Sequence, residues 1–269
     1  MDVRIFPNSR RPGVGLKPRR EATRPLLPQH ARHCPVLESG SALGFAVYAA
    51  LEPKEQIYVE YEGEGRYKFV YYLVAQSGRP TPIFSLALSL SVGGIGMSKE
   101  EVTFVGVPML PKEAALAVSR VFIVPEDIGT PPGAIALRGA YNFQTPSGWD
   151  TVYTPVFNMI ERPVAPMLVV RVETDWYAHE TEFRYVLEPG EGITITPTVP
   201  IGQAFFVPRE EITLRDCTAE EIDAIRRAQE EFSRHKAAAA QTTSFGLTYS
   251  PHYLRQSRAQ RPAKETQDE

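Results

Sequence analysis

Residues 171–183, RVETDWYAHETEF, combine residue types that are found in catalytic and binding sites. Successive side chains on a strand point to opposite faces, so a strand over 167–177 places Arg171, Glu173 and Asp175 on one face. Neighbouring carboxylates shift each other's pKa values, which suits acid–base catalysis or metal binding. We therefore predict that Glu173 and Asp175 are catalytic and that Arg171 binds an anionic group of a substrate. The alternative is a solvent-facing strand in which Arg171 only forms an ion pair.

Residues 143–158, FQTPSGWDTVYTPVFN, form a second candidate segment. The glycine and the prolines indicate two tight loops, and aromatic side chains alternate there with polar ones. Aromatic side chains exposed on rigid loops are typical of ligand pockets. The predicted substrate-binding residues are therefore Trp149, Tyr153 and Asn158, together with Trp176. The alternative is that these loop aromatics pack back onto the core.

His179 and Glu182 are the candidate metal ligands, which makes a divalent metal the candidate cofactor. Non-haem iron sites use two histidines and one carboxylate. Residues 171–183 contain one histidine and neither an H-x-H nor an H-x-D motif, so the second histidine would have to come from another part of the chain. The alternative is that His179 is a surface histidine.

The charge of the chain is unevenly distributed. The 269 residues carry a net charge of −3, yet residues 1–33 contain eight Lys or Arg side chains against two acidic ones. We predict that residues 1–33 form a basic, Pro/Arg-rich arm. Nucleic-acid binding is disfavoured, because the rest of the chain lacks an obvious basic stripe with interleaved aromatics.

The hydrophobic pattern disfavours a membrane protein. The N-terminal residues have no apolar segment typical of a signal peptide. The most apolar run, residues 82–93, is too short to span a bilayer. We therefore expect a cytoplasmic protein without membrane association.

Short runs of aromatic and β-branched residues, separated by turns rich in Pro and Gly, predict a mainly β protein. The predicted strands are 44–51, 56–62, 66–75, 82–93, 120–124, 134–138, 167–177, 181–187, 192–196 and 203–207. A short helix is predicted to begin at Pro111. A long helix is predicted to begin with a capping box formed by Thr218 and Glu221. Its inner face is predicted to consist of Ile222, Ile225, Ala228 or Gln229, and Phe232.

These elements predict the domain organisation. A β-sandwich or jelly-roll-like domain is expected over residues 34–214, following the arm. A C-terminal α-helix and a packed tail are expected over residues 215–256. Residues 257–269 are expected to form a disordered tail.

Five segments occur in a characteristic order: CPVLESGSALGF (34–45), FQTPSGWD (143–150), PMLVVRVETDW (166–176), PIGQAFFVPRE (200–210) and YSPHYLR (249–255). This order resembles a bacterial family known as domain of unknown function 6065, over residues 34–255 apart from 80–130. The resemblance implies one β-rich bacterial domain and no particular activity. Glu173, Asp175 and Trp176 match the E-T-D-W motif of the family. The position of His179 is often apolar or aromatic in the family, which counts against a catalytic role for His179.

Two classes of function follow from the sequence. The leading hypothesis is a small-molecule-binding bacterial protein, in the form of a tailoring enzyme with a carboxylate-based site. The alternative is a non-catalytic binding module or a homo-oligomeric assembly subunit. The basic arm, the long alternating strand over 84–92 and the lack of a recognised catalytic motif favour this alternative.

Overall fold

The computed structural model describes residues 2–20, 34–89, 99–104, 111–124, 131–159, 167–242, 244, 246 and 248–260. The chain divides into two compact units, Met1–Glu210 and Glu211–Glu269. Every pairing between the described strands is antiparallel. The prediction of a mainly β protein with a C-terminal helix is confirmed.

The largest sheet of the first unit is a meander with one added strand. It consists of β3 (Glu55–Gly63), β4 (Arg66–Val74), β5 (Pro80–Ser89), β6 (Lys99–Phe104) and β14 (Gly192–Ile195), in the order β14-β3-β4-β5-β6. The predicted alternation in β5 is confirmed, because Phe84, Leu86 and Leu88 are all buried. Residues 90–93 of this predicted strand lie outside the described residues.

Two further sheets have four strands each. One consists of β2 (Phe45–Val47), β10 (Trp149–Thr154), β12 (Val170–Val172) and β15 (Gly202–Pro208), in the order β12-β10-β15-β2. The other consists of β7 (Ile123–Val124), β8 (Ala134–Arg138), β11 (Met167–Leu168) and β13 (Glu182–Val186), in the order β11-β13-β8-β7. A short two-stranded sheet pairs β1 (Arg4–Pro7) with β9 (Tyr141–Gln144).

The first unit also contains two helices. These are α1 (Pro35–Ser41) and α2 (Lys112–Phe122). The predicted helix after Pro111 is therefore confirmed. The predicted strand over 120–124 is mostly wrong, because α2 continues to Phe122 and leaves only two residues for β7.

The sheets share one hydrophobic core. Ile57 and Phe84 of the five-stranded sheet, Tyr153 of β10 and Phe183 of β13 belong to the same buried cluster. Gly202 on β15 makes this packing possible, because a Cβ atom there would lie 2.1 Å from the Phe183 ring. The core thus holds β10 and β15 in place, and the candidate site lies on β10, directly after β15, on β12 and on the turn that follows β12.

The described part of the predicted N-terminal arm, residues 2–20, is bound to the body of its own unit. β1 pairs with β9 in a two-stranded sheet, and Arg19 forms an isolated bridge with Ala46. Arg11 donates two hydrogen bonds to the buried carboxylate of Glu55, at 2.7 and 3.1 Å. These residues belong to the first compact unit and not to a separate arm. Residues 21–33 of the predicted arm lie outside the described residues.

The second unit contains α3 (Ala219–Ala238), α4 (His252–Gln260) and a hairpin of β16 (Gln241–Thr242) and β17 (Thr248–Tyr249). The predicted capping box of Thr218 and Glu221 is confirmed. α3 has no buried residue, so its predicted inner face is largely exposed. Residues 257–260 of the predicted disordered tail are helical, and residues 261–269 lie outside the described residues. Among the described helices, none has the length and apolar character that crossing a membrane requires.

Candidate functional site

The predicted strand over residues 167–177 is interrupted. β11 pairs with β13, whereas β12 pairs with β10 and ends at Val172. Residues 174–176 form a turn, in which the N–H groups of Trp176 and Tyr177 donate to the Glu173 carbonyl at 3.4 and 3.0 Å. The prediction of one continuous strand is wrong, because the chain changes from one sheet to the other between β11 and β12.

Asp150 is the centre of an ion-pair network at this turn. Its side chain, on the inner strand β10, is only 2% exposed. Arg171 donates from Nε to Oδ2 at 2.6 Å. Arg209 donates from Nε and Nη2 to Oδ1 at 2.9 and 2.5 Å. The two arginines meet at Asp150 because β12 and β15 flank β10. Arg171 therefore forms an ion pair, as expected from the alternative in which its strand has only a structural role.

The two predicted catalytic carboxylates lie beside the same network. Asp175 accepts a hydrogen bond from Arg209 Nη2 at 2.7 Å and one from the backbone N–H of Gly148 at 2.9 Å. Glu173 has Oε1 3.7 Å from Arg209 Nε, and its Oε2 accepts from Trp176 Nε1 at 2.6 Å. Glu173 and Asp175 thus lie close together, as the sequence pattern predicts. Both are already bound to donors of the protein itself.

Three threonine hydroxyls form a buried hydrogen-bonded group on the inner side of the 174–176 turn. Thr174 is buried, and its Oγ1 lies 2.9 Å from that of Thr145 and 2.6 Å from that of Thr151. Thr145 also donates to the Trp149 carbonyl at 2.6 Å. Buried hydroxyls that are fully hydrogen-bonded favour one local geometry. The turn is therefore held by buried polar contacts on its inner side and by Asp175 on its outer side.

The electrostatics favour ionised carboxylates. Burial raises the pKa of Asp150, but hydrogen bonds from Arg209 and Arg171 outweigh burial and hold the pKa below its usual range. The hydrogen bonds from Arg209 and from the Gly148 N–H lower the pKa of Asp175. A general acid needs a carboxyl that is protonated near the working pH. Asp150 and Asp175 instead serve as fixed anions that orient the two arginines.

Tyr153 is a core residue. Its side chain is 1% exposed and packs between Phe143 and Phe183, with ring centroids at 6.4 and 5.5 Å. Burial raises its pKa to about 12. Tyr153 points into the core from an inner strand, so its placement gives no support to the prediction that it binds a substrate.

The other two predicted residues of this segment lie in different surroundings. Trp149 is partly buried at the start of β10, opposite Pro208. Asn158 donates from Nδ2 to the Leu37 carbonyl at 3.2 Å and to Ser41 Oγ at 3.0 Å. The described contacts of Asn158 thus stabilise α1 and do not involve the Asp150 network.

The predicted metal ligands do not assemble into a site in the described part of the chain. Glu182 is 3.3 Å from Arg138 Nε, which also lies 3.0 Å from Glu180. His179 Nδ1 is buried and has no hydrogen-bond partner among the described residues. No group of three or more His, Cys, Asp or Glu side chains among those residues has the arrangement that holds a metal ion.

Trp176, Tyr177 and His179 form a row of neighbouring rings, which we call the ring row. The ring centroids are 5.7 Å apart between Trp176 and Tyr177, and 5.2 Å apart between Tyr177 and His179. Trp176 is 69% exposed. The hydrogen bond from its N–H to Glu173 favours one orientation of the indole.

Asp150 and Arg209 are the site residues that the sequence analysis missed. Both lie in segments that carry the family resemblance, directly after the T-P-S-G-W turn and directly after Val207-Pro208. They are 59 positions apart, and only the pairing of β10 with β15 brings them together. The sequence signal that pointed towards this network was the ion pair expected for Arg171, which did not identify Asp150 as the partner.

No protein-family model matches the sequence, and no curated protein matches it. The resemblance to domain of unknown function 6065 therefore stays a prediction. Three of the segments that carry it, 143–150, 166–176 and 200–210, contribute Asp150, Asp175 and Arg209 to one network.

Proposed function

We propose that the protein is a non-catalytic binding module and that the ring row binds the apolar face of a saccharide. The observation that carries this proposal is Trp176, whose indole is 69% exposed and is oriented by a hydrogen bond to Glu173. A bacterial origin and a cytoplasmic location stay predictions.

The oriented indole favours binding for an energetic reason. Apolar surface that a ligand removes from water contributes about 25 cal/mol per Å², and an indole is the largest such surface that one side chain offers. Ordering a mobile side chain costs about 0.5–1.5 kcal/mol on binding. The contacts of Glu173, Asp175 and Thr174 already restrict the turn and the Trp176 side chain in the free protein. Less ordering is therefore needed when a ligand binds.

The charges at the turn favour a neutral ligand. Arg171 and Arg209 face three carboxylates, those of Asp150, Glu173 and Asp175. A site with this balance gives no net attraction for a phosphate or carboxylate group. A saccharide has hydroxyls for the half-exposed Glu173 and Arg171, and its C–H face packs on the negative face of an aromatic ring.

The tailoring-enzyme hypothesis has less support. Both oxygens of Asp150 and of Asp175 accept hydrogen bonds from the protein. A carboxylate in that state is a poor general base, and its lowered pKa makes it a poor general acid.

The test uses the two tryptophans as probes. The chain contains two, so a Trp149→Phe variant leaves Trp176 as the fluorophore. A panel of monosaccharides and short oligosaccharides is titrated by fluorescence, and each hit is measured by calorimetry on the natural sequence. Truncation of an aromatic anchor costs about 2 kcal/mol, which corresponds to about 30-fold in Kd. We expect that loss in Trp176→Ala.

Tyr249→Ala is the matched control, because Tyr249 is an exposed aromatic of the second unit. It should bind hits as the natural sequence does. A panel without any binder overturns the proposal, and so does a hit whose affinity is the same in folded Trp176→Ala.

A further inference from the structure

α3 presents an apolar stripe that is largely exposed and that contacts α4 at Phe232. Ile222, Ile225 and Phe232 recur at helical spacing on one face and are 39%, 49% and 37% exposed. All of α3 is described, and none of its residues is buried. The one helix described in contact with it is α4, where the His252 ring lies 4.9 Å from the Phe232 ring. Three large apolar side chains on one face are the pattern of a helix that packs against a partner.

The two ends of α3 carry opposite charges. The first turn contains Glu220 and Glu221, and the last turn contains Lys236. Two parallel copies of this helix would place like charges side by side. Two antiparallel copies would place the acidic first turn of one beside the basic last turn of the other. Antiparallel packing also places opposite ends of the two helix dipoles together.

The stripe is nearly symmetric about the middle of the helix. Ile225 precedes Ala228 by three positions, and Phe232 follows Gln229 by three. A two-fold axis at the Ala228–Gln229 bond therefore brings Ile225 of one copy to the height of Phe232 of the other. Ala228 permits close approach of the helices at the axis. A polar side chain such as Gln229 in an apolar seam selects one register.

We propose that α3 binds α3 of a second copy of this chain, antiparallel, about a two-fold axis at Ala228–Gln229. The contact is isologous, since the same surface is used by both copies. It is independent of the proposed saccharide site, because it uses no residue of the ring row.

The first test measures the mass of the protein in solution and asks whether dimer formation depends on the apolar stripe. Sedimentation equilibrium of the full chain over a range of concentrations should give a monomer–dimer equilibrium. Ile225→Asp should weaken the dimer at least tenfold, because it places a carboxylate in the seam. Arg227→Asp introduces the same side chain on the opposite face of the helix and should leave the dimer unchanged. Circular dichroism confirms that both variants keep their helix.

The second test measures orientation by disulfide formation. Cys34 and Cys217 are first replaced by serine. A disulfide needs Cα atoms about 4.4–6.8 Å apart. Gln229→Cys lies at the axis and should cross-link to its copy. Lys236→Cys should not, because antiparallel pairing separates the two copies of position 236 by about 22 Å along the helix, at 1.5 Å per residue.

Three results would overturn the proposal. A monomer at all concentrations excludes the contact. Equal weakening by Ile225→Asp and Arg227→Asp excludes the stripe as the seam. Cross-linking at position 236 as efficient as that at position 229 shows a parallel pair.

Discussion

Substitution of Asp150 by asparagine tests whether the ion-pair network positions the turn. The carboxylate accepts three N–H donors from Arg171 and Arg209 and is 2% exposed. Asparagine keeps the shape but removes the charge and turns one acceptor into a donor that faces an arginine. Each hydrogen bond to a charged group contributes about 1.5–3 kcal/mol. Because both arginines are partly exposed and regain water, we expect the free energy of unfolding to fall by about 2–4 kcal/mol.

Denaturant unfolding measures this loss, with circular dichroism and tryptophan fluorescence as two probes. Asp2→Asn is the control, because Asp2 is exposed in the same unit and its change should stay within about 0.5 kcal/mol. The folded pKa of Asp150 is lowered, so its contribution is present above the unfolded pKa of about 3.9. The difference in the free energy of unfolding between the natural sequence and Asp150→Asn should therefore be largest at pH 7. It should shrink as the pH falls below the unfolded pKa and through the folded pKa of Asp150. Equal midpoints for Asp150→Asn and Asp2→Asn at pH 7 would refute the structural role.

Three further substitutions test the elements around the site. Glu55→Gln should lower the free energy of unfolding by about 2–3 kcal/mol and expose residues 2–20 to limited proteolysis, whereas the exposed Glu64→Gln should do neither. Gly202→Ala places a Cβ 2.1 Å from the Phe183 ring; thermal unfolding should show a loss of about 1–3 kcal/mol, and an unchanged Tm would contradict the packing. Thr218→Ala should cost about 1 kcal/mol of helix stability, visible as faster hydrogen exchange in the first turn of α3; unchanged exchange there would argue against the cap.

Local patterns predicted the elements well where one physical rule dominates. β5 shows strict alternation because one of its faces is buried and the other is not. The capping box at Thr218 is a contact within four residues, so no distant part of the chain can alter it. The strand over 167–177 failed because the apolar run Met167–Val170 continues through the change of sheet between β11 and β12. Alternation records which side chains are buried and does not record which strand is the partner.

The candidate site was predictable only in part, because its contacts are distant in sequence. Glu173, Asp175 and Trp176 lie together and are close in sequence. Their main partner, Arg209, follows Asp175 by 34 positions and reaches it through the pairing of β10 with β15. A buried anion needs cationic partners, but a single sequence does not reveal which arginine supplies them. Clustered carboxylates therefore suggested acid–base chemistry, whereas the structure binds them to arginines.

The two proposals together predict avidity. A dimer joined through α3 carries two ring rows, so a polymeric saccharide long enough to reach both offers two contacts, whereas a monosaccharide offers one. Linked sites can raise the apparent affinity by about 10²–10⁴-fold without any new contact. At a concentration where the natural chain is dimeric and the Ile225→Asp variant is monomeric, the variant should bind a monosaccharide as the natural sequence does and bind the polymer far more weakly, as measured by calorimetry. Loss of monosaccharide binding in that variant would instead mean that the second copy completes the saccharide site. Equal polymer affinity would mean that the two ring rows cannot be occupied together.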